Sequence, residues 1–430
     1  MTATYEEILD WLYNLEARRG MDFRLARLEP VLDRLGHPER AFACVHVAGT
    51  NGKGSTSAMI ESALRAGGYR TGLYTSPHLV SFRERIRIAN RGDRQSFAPA
   101  AAPISRREVV SSVTAVRVAM EAARQELTFF EIVTLAAFVA MRAREVEVAV
   151  IEAGLGGRLD ATNVARGEVC AITSIGIDHA EYLGDTIEKI AFEKAGIVKP
   201  GSVLVTGALP AAAMPVIEQR IAETGARWLA YGRDFGDFAP MAQAQRQGRA
   251  MLGEHQLRNA AVAQAALAQL DSRFPVAPEV RERAIVEARW PGRLEIIDGR
   301  PPVILDAAHN PEAAAVLARA LEAEPSARRP RVLVFAAMAD KDWRSMLEEL
   351  RASVDAAVFV ALPMTRAQAP QKLCEAWPSA HVASSPEEGL ALARELSTSA
   401  GSVVVAGSIF LLGHLYRSAG GAFLEQDLSD

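Results

Sequence analysis

The stretch HVAGTNGKGST, His46 to Thr56, sets three glycines, one lysine and two adjacent hydroxyls between an apolar run and a helix-like run. Glycines let main-chain N–H groups approach an anion closely, and a helix N-terminus adds a favourable dipole. Lys53 supplies a point charge, and Ser55 or Thr56 can reach a magnesium ion. The chemistry implied is phosphate binding. The usual nucleotide loop, G-x-x-x-x-G-K-[ST], would put glycine at Val47 and a hydroxyl directly after Lys53, where Gly54 stands, so the loop is a shortened form. A glycine-rich turn without a ligand is the other reading, and the order of strand, glycines, lysine and helix favours phosphate.

Further polar residues close other apolar runs. VAVIE delivers Glu152 and then AGLGGRLDATN; AITSIGIDH delivers Asp178 and His179; PVILDAAHN delivers Asp306, His309 and Asn310. In open α/β sheets ligands collect outside the carboxyl ends of strands. Carboxylate, imidazole and hydroxyl together make an oxygen and nitrogen cage for a divalent ion beside a phosphate. Purely structural readings stand next to these: Glu152 paired with an arginine, His179 satisfied within its loop, and Asn310 before Pro311 as a helix N-cap. AGLGG is no dinucleotide fingerprint, because Leu159 stands where its third glycine belongs. Lys194 is more specific. On a helix through DTIEKIAFEKAGI it shares one stripe with Ile187, Ile190 and Ala191, while Lys189 and Glu193 face away. A lysine centred on an apolar stripe must snorkel, pair or lose its charge.

These residues need elements to hold them. AFACVHV precedes a helix over 55–66; VEVAVIEAG and EVCAITSIG follow, then a helix over 186–195, SVLVTG and a helix over 213–224. A second series runs from PVILDAAHN through helix 311–322, RVLVFAAM, helix 343–350, AAVFVAL, a helix around 386–396 and SVVVAGS. Such alternation predicts parallel sheets flanked by helices, in two α/β units. WPGRLEIIDGRPP, 290–302, is rich in proline and glycine and sets a boundary near residue 292. Segments 90–105 and 233–253 read as loops.

Composition agrees with a large enzyme. A chain of 430 residues exceeds one ordinary core, and its formal net charge of −4 gives no basic footprint for nucleic acid. Cys44, Cys170 and Cys374 fall at neither metal nor disulfide spacings and read as free thiols of a reducing cytoplasm. The N-terminal segment carries acidic residues and helical spacing (Ile8, Trp11, Leu12, Leu15) instead of a signal sequence, and the longest apolar stretch, 132–141, is too short to span a bilayer.

Taken together, GTNGKGS (49–55), YTSPHL (74–79), TFFE (128–131), EAGLGGRLDATN (152–163), DHAEYLG (178–184), EKAGIVKPG (193–201), PGRLE (291–295) and LDAAHNP (305–311) resemble the folylpolyglutamate synthase and dihydrofolate synthase family, a branch of the ATP-dependent Mur-type amide ligases. The resemblance implies an N-terminal P-loop-type domain with a mostly parallel sheet, residues 1–291, and a smaller Rossmann-like α/β domain, 292–430, for glutamate ligation. It implies ATP, two magnesium ions and a monovalent cation as cofactors. The substrates implied are L-glutamate with dihydropteroate or a reduced folate, acted on by a cytoplasmic monomer without nucleic acid or membrane partners. By the same resemblance Gly49, Thr50, Asn51, Gly52, Lys53, Gly54, Ser55 and Thr56 hold the ATP phosphates, with Ser55 near one magnesium. Ser76, Glu152 and His179 match a second magnesium site, and Lys194 matches a lysine the family carries as a carbamate. Asn259, Arg293, Asp306 and His309 match interface positions that handle nucleotide and acyl phosphate. Phe130 and Asp160 match the pterin-side positions of the bifunctional enzymes.

Competing classes lack their signatures. Peptidoglycan Mur ligases usually carry a nucleotide-sugar domain before the loop, and fewer than fifty residues precede Gly49. A guanine-reading N-K-x-D is missing, because none of the six asparagines is followed by lysine. A monofunctional folylpolyglutamate synthase remains the alternative within the family.

Overall fold

The apolar runs become strands because they are buried on both faces. In ACVHVA every residue is buried, the mark of a parallel strand covered by helices on each side. The computed structural model describes residues 3–19, 24–92 and 101–418. The chain divides into two compact units, Met1–Ala250 with Gln256–Arg289, and Met251–His255 with Trp290–Ser429.

Among the described residues the first unit holds seven strands: β1 Ala43–Ala48, β2 Thr71–Tyr74, β3 Ile86–Ile88, β4 Val148–Glu152, β5 Gly167–Ile172, β6 Val203–Thr206 and β7 Arg227–Ala230. Their order is β3-β2-β4-β1-β5-β6-β7, with only the β2–β3 pair antiparallel. Register aligns the carboxyl ends at the centre: Val47 faces Glu152 on β4, and Ala48 faces Ile172 on β5. The second unit holds β8 Glu295–Ile297, β9 Val303–Leu305, β10 Arg331–Phe335, β11 Ala356–Val360, β12 His381–Ala383 and β13 Ser402–Ala406, in the order β12-β11-β10-β13-β9-β8. There only β8 runs antiparallel. Both are mixed-sheet α/β domains.

Two loop expectations change. Segment 233–253 contains the helix Ala239–Arg246, which carries Pro240 as its second residue and buries Met241 and Ala244 at helical spacing. Its glutamines are fair helix formers, so composition concealed the periodicity. In the 90–105 segment, 93–100 lie outside the described residues, and its end pairs with β3: Ile88 N–H donates to the Ala102 carbonyl and Ile104 N–H to that of Ile86. The N-terminal helix Tyr5–Arg19 buries Ile8 and Leu12 against helices Arg106–Ala123 and Phe129–Ala143. Among the described residues no helix is long and apolar enough to cross a membrane.

Candidate active site

The loop after β1 turns on two glycines at positive φ, Gly49 (154°) and Gly52 (86°). Neither position admits a side chain. A Cβ on Gly49 would lie 1.9 Å from Thr173 Oγ1, and one on Gly52 would lie 2.4 Å from Asn259 Oδ1. The loop is stitched to the segment leaving β5: Thr50 N–H donates to the Ser174 carbonyl (2.9 Å), Asn51 N–H to Ser174 Oγ (2.9 Å) and Thr173 Oγ1 to the Asn51 carbonyl (2.6 Å). Thr50 Oγ1 also bonds Gly176, donating to its carbonyl and accepting from its N–H, both at 3.0 Å.

Helix Lys53–Ala66 then begins, and its first internal bond runs from Thr56 N–H to the Gly52 carbonyl. The amides of Lys53, Gly54 and Ser55 therefore have no acceptor within the helix, the arrangement that receives an anion. Lys53 Nζ folds over the loop and donates to the carbonyls of Gly49 (2.9 Å) and Thr50 (3.1 Å). Behind the helix, Asn259 Nδ2 donates to Gln256 Oε1 (3.0 Å) and Gln256 Nε2 to Ser55 Oγ (3.4 Å). Asn259 thus borders Gly52 and also reaches Ser55 through Gln256.

Lys194 lies on helix Ile187–Ala195, whose Thr186 cap accepts from Lys189 N–H. The inward stripe of Ile190, Ala191 and Lys194 is buried, and Lys194 is only 3% exposed. It does not snorkel. Its Nζ donates to the Gly49 carbonyl at 2.8 Å.

Neighbouring strand ends bring in the acid. Glu152 closes β4, buried, and its Oε2 accepts Ser76 N–H at 3.4 Å from the turn after β2. His179 is half-buried, sits at φ 51°, and its ring stands 3.9 Å from Asp178.

On the adjoining surface Phe130 is the second residue of helix Phe129–Ala143, which Thr128 and Glu131 close with a capping box. Its ring lies against Gly154: a Cβ there would be 2.4 Å from Phe130 Cζ. Asp160 is buried, and its carboxylate accepts from Leu155 N–H (2.8 Å), Thr162 N–H (3.0 Å) and Thr162 Oγ1 (2.5 Å). Burial pushes its carboxyl above the usual range, and these donors pull it down.

In the second unit Asp306 follows β9 and clasps main chain. Its Oδ2 accepts from Leu294 N–H and its Oδ1 from Ala308 N–H, each at 2.8 Å. Leu294 is held at φ 48°, an uncommon conformation for a residue with a Cβ. Glu295 fastens the other side of this turn, accepting from Gly292 N–H (2.8 Å) and from the Tyr416 hydroxyl. Arg293, half-buried, is carried between the two clasps. Burial pushes the Asp306 carboxyl up, opposed by Arg293 and the two amides. His309 Nδ1 lies 2.9 Å from the Ala307 carbonyl, which makes Nδ1 the protonated nitrogen. Asn310 is a helix N-cap, accepting from Ala313 N–H at 2.9 Å.

Thr173, Gln256, Glu295 and Tyr416 were not anticipated. Thr173 had a signal, a hydroxyl closing the otherwise apolar run of β5, and Gln256 lies one helical turn before Asn259.

Comparison with known proteins gives this geometry its context. Residues 47–267 match the Mur ligase middle domain, and 292–409 match the Mur ligase glutamate ligase domain. The chain is 34% identical to the folylpolyglutamate synthase of Lacticaseibacillus casei, over 90% of this chain and 92% of the relative. It is also 34% identical to the dihydrofolate synthase/folylpolyglutamate synthase of Bacillus subtilis, over 87% and 89%. Among solved structures it is similar to Escherichia coli FolC in complex with DHPP and ADP (TM-score 0.84, 30% identity, 97% of this chain and 99% of that one). It is equally similar to the bifunctional Yersinia pestis enzyme with Mn, AMPPNP and L-glutamate bound (TM-score 0.84, 30% identity, 98% and 100%). With both domain models matched and relatives aligned over nearly their full length, the chain belongs to the Mur ligase family, in its dihydrofolate synthase and folylpolyglutamate synthase branch.

Proposed function

We propose that this protein is an ATP-dependent amide ligase that joins L-glutamate to dihydropteroate and to the γ-carboxylate of reduced folates. The observation that carries the reading is the convergence of Lys53 and Lys194 on the Gly49 carbonyl, within a phosphate-binding loop beside the Glu152 carboxylate. The acceptor carboxylate takes the γ-phosphoryl group of ATP, giving an acyl phosphate and ADP. The glutamate amine attacks the acyl carbon, phosphate leaves with the bonding pair, and the amine gives up a proton. No nucleophilic side chain is required, so the protein supplies position and charge.

In this reading residues Gly49 to Thr56 hold the triphosphate, with Lys53 neutralising it and Ser55 serving one magnesium. Ser76, Glu152, His179 and a carbamylated Lys194 serve the second. A donor set rich in carboxylate and hydroxyl oxygen suits a hard divalent ion, which when bound polarises the transferring phosphoryl group. Asn259 is assigned to the nucleotide, Arg293, Asp306 and His309 to the acyl phosphate, and Phe130 and Asp160 to the pterin. A monovalent cation, a monomeric state, a functional division at 291/292 and a cytoplasmic location complete the proposal. Free Cys44, Cys170 and Cys374 accord with a reducing compartment.

The test supplies purified protein with ATP, magnesium and L-glutamate, and offers dihydropteroate or a reduced folate in turn. Glutamate-dependent release of ADP and phosphate with both acceptors is expected. Phosphate release that ignores glutamate would overturn the reading, and turnover of folate alone would reduce the enzyme to the monofunctional type.

A further inference from the structure

His46 lies within β1, fully buried, and the reaction described above does not use it. Its Nε2 is 2.9 Å from Thr162 Oγ1, and the Thr162 hydroxyl is 2.5 Å from Asp160 Oδ1. The other ring nitrogen, Nδ1, is buried with no hydrogen-bond partner. A buried N–H lacking an acceptor is rarer than an acceptor lacking a donor, so the ring proton belongs on Nε2. The imidazole must then donate to Thr162. A hydroxyl has one proton to give, and with Nε2–H directed at its oxygen, Thr162 gives that proton to Asp160. Reversing the chain would need a protonated Asp160 and would leave Nδ1–H without an acceptor.

We propose that His46 is a positioning residue for the pterin-side pocket: acting through Thr162, it holds Asp160 as an ionised acceptor in one orientation. This rests on the assignment of Asp160 to the pterin. Burial opposes an ionised Asp160, so a donor chain of fixed direction is what the site needs. Burial, with Lys199, also pushes the His46 imidazole down to about 3, keeping the ring neutral. The titratable neighbours are Cys170, paired with His46 across β5; Cys44, two residues back on β1; Lys199, which donates to the carbonyls of Asn163 and Ala165; and Tyr74, which feels Asp160.

Two measurements test the proposal. Nitrogen NMR of the imidazole in the intact protein should show a protonated Nε2 and a bare Nδ1 throughout the neutral range. In steady-state assays His46→Leu should raise the KM for dihydropteroate about tenfold, the scale of one hydrogen bond, and leave the KM for ATP unchanged. His46→Gln, whose amide can donate, should recover most of the loss. A proton on Nδ1, or a folded His46→Leu enzyme with the wild-type KM for dihydropteroate, would overturn it. The spectrum and His46→Gln decide the matter even where the leucine variant does not fold. Asp160→Asn with an unaltered KM for dihydropteroate would instead remove the pterin assignment, while the spectrum still reads the direction of the chain.

Discussion

Lys53 and Lys194, from different helices, donate to one acceptor, the carbonyl oxygen of Gly49, over 2.9 and 2.8 Å. Both nitrogens fix this carbonyl, and Lys53 brings positive charge to the loop where a triphosphate would lie. Lys53 is half-buried and donates to the loop carbonyls of Gly49 and Thr50, whereas Lys194 belongs to a buried helix face.

Lys53→Ala should therefore reduce kcat/KM for ATP by at least about a hundredfold, comparable with losing one charged contact in the transition state. Its melting temperature should stay close to that of the wild type, because no core packing is removed. Turnover near the wild-type rate would contradict the assignment.

For Lys194 the expected modification is a carbamate, formed when the neutral amine takes up carbon dioxide and releases a proton. One N–H remains on Nζ, so the bond to Gly49 survives while two oxygens become available to magnesium. Removing carbon dioxide should lower activity, and bicarbonate should restore it. Carbon-13 NMR of protein equilibrated with labelled bicarbonate should show a carbamate signal that Lys194→Ala lacks. Activity indifferent to carbon dioxide, with no such signal, would refute this.

Gly154→Ala addresses the pterin side. The new methyl would fall 2.4 Å from Phe130 Cζ and 2.7 Å from Cε2, so the ring must move. We expect a KM for dihydropteroate raised about tenfold with little change for ATP, since overpacking costs about 1–3 kcal/mol. Equal loss for both substrates would point to damage spreading into the phosphate loop.

His46 also predicts an acid response. Its folded pKa, about 3, lies below the ordinary 6.5. A depressed value means stability present above 6.5 and lost as pH falls from there toward 3, by at most about 1.4 kcal/mol per unit for one proton. His46→Gln cannot titrate, so its acid-unfolding midpoint, followed by circular dichroism, should lie below the wild type's once neutral stabilities are matched. Coincident midpoints would assign the acid loss to other groups.

The layered α/β architecture was legible because β1, β4, β5, β10, β11 and β13 are mainly apolar runs, almost every residue of them buried. Short edge strands such as β3 (IRI) and β12 (HVA) carry too few residues for a period to register. The inward face of Lys194 was legible because helical spacing is local. The contacts of Asn259 with Gly52 and of His46 with Thr162 join residues distant in sequence, and a lone histidine inside a strand reads simply as core. Asp306 was marked by its place after a strand, but its grip on Leu294 depends on a positive φ that leucine itself does not advertise.

The bonds from Thr50, Asn51 and Thr173 tie the loop after β1 to the segment after β5, so a nucleotide bound there would meet a receptor already in shape. Little chain ordering is left for the ligand to impose, so its association entropy is spared that penalty. Calorimetric titration with ADP should accordingly give a small heat-capacity change, and Thr173→Val, which breaks one of these ties, should make binding more unfavourable in entropy while the phosphate contacts themselves persist.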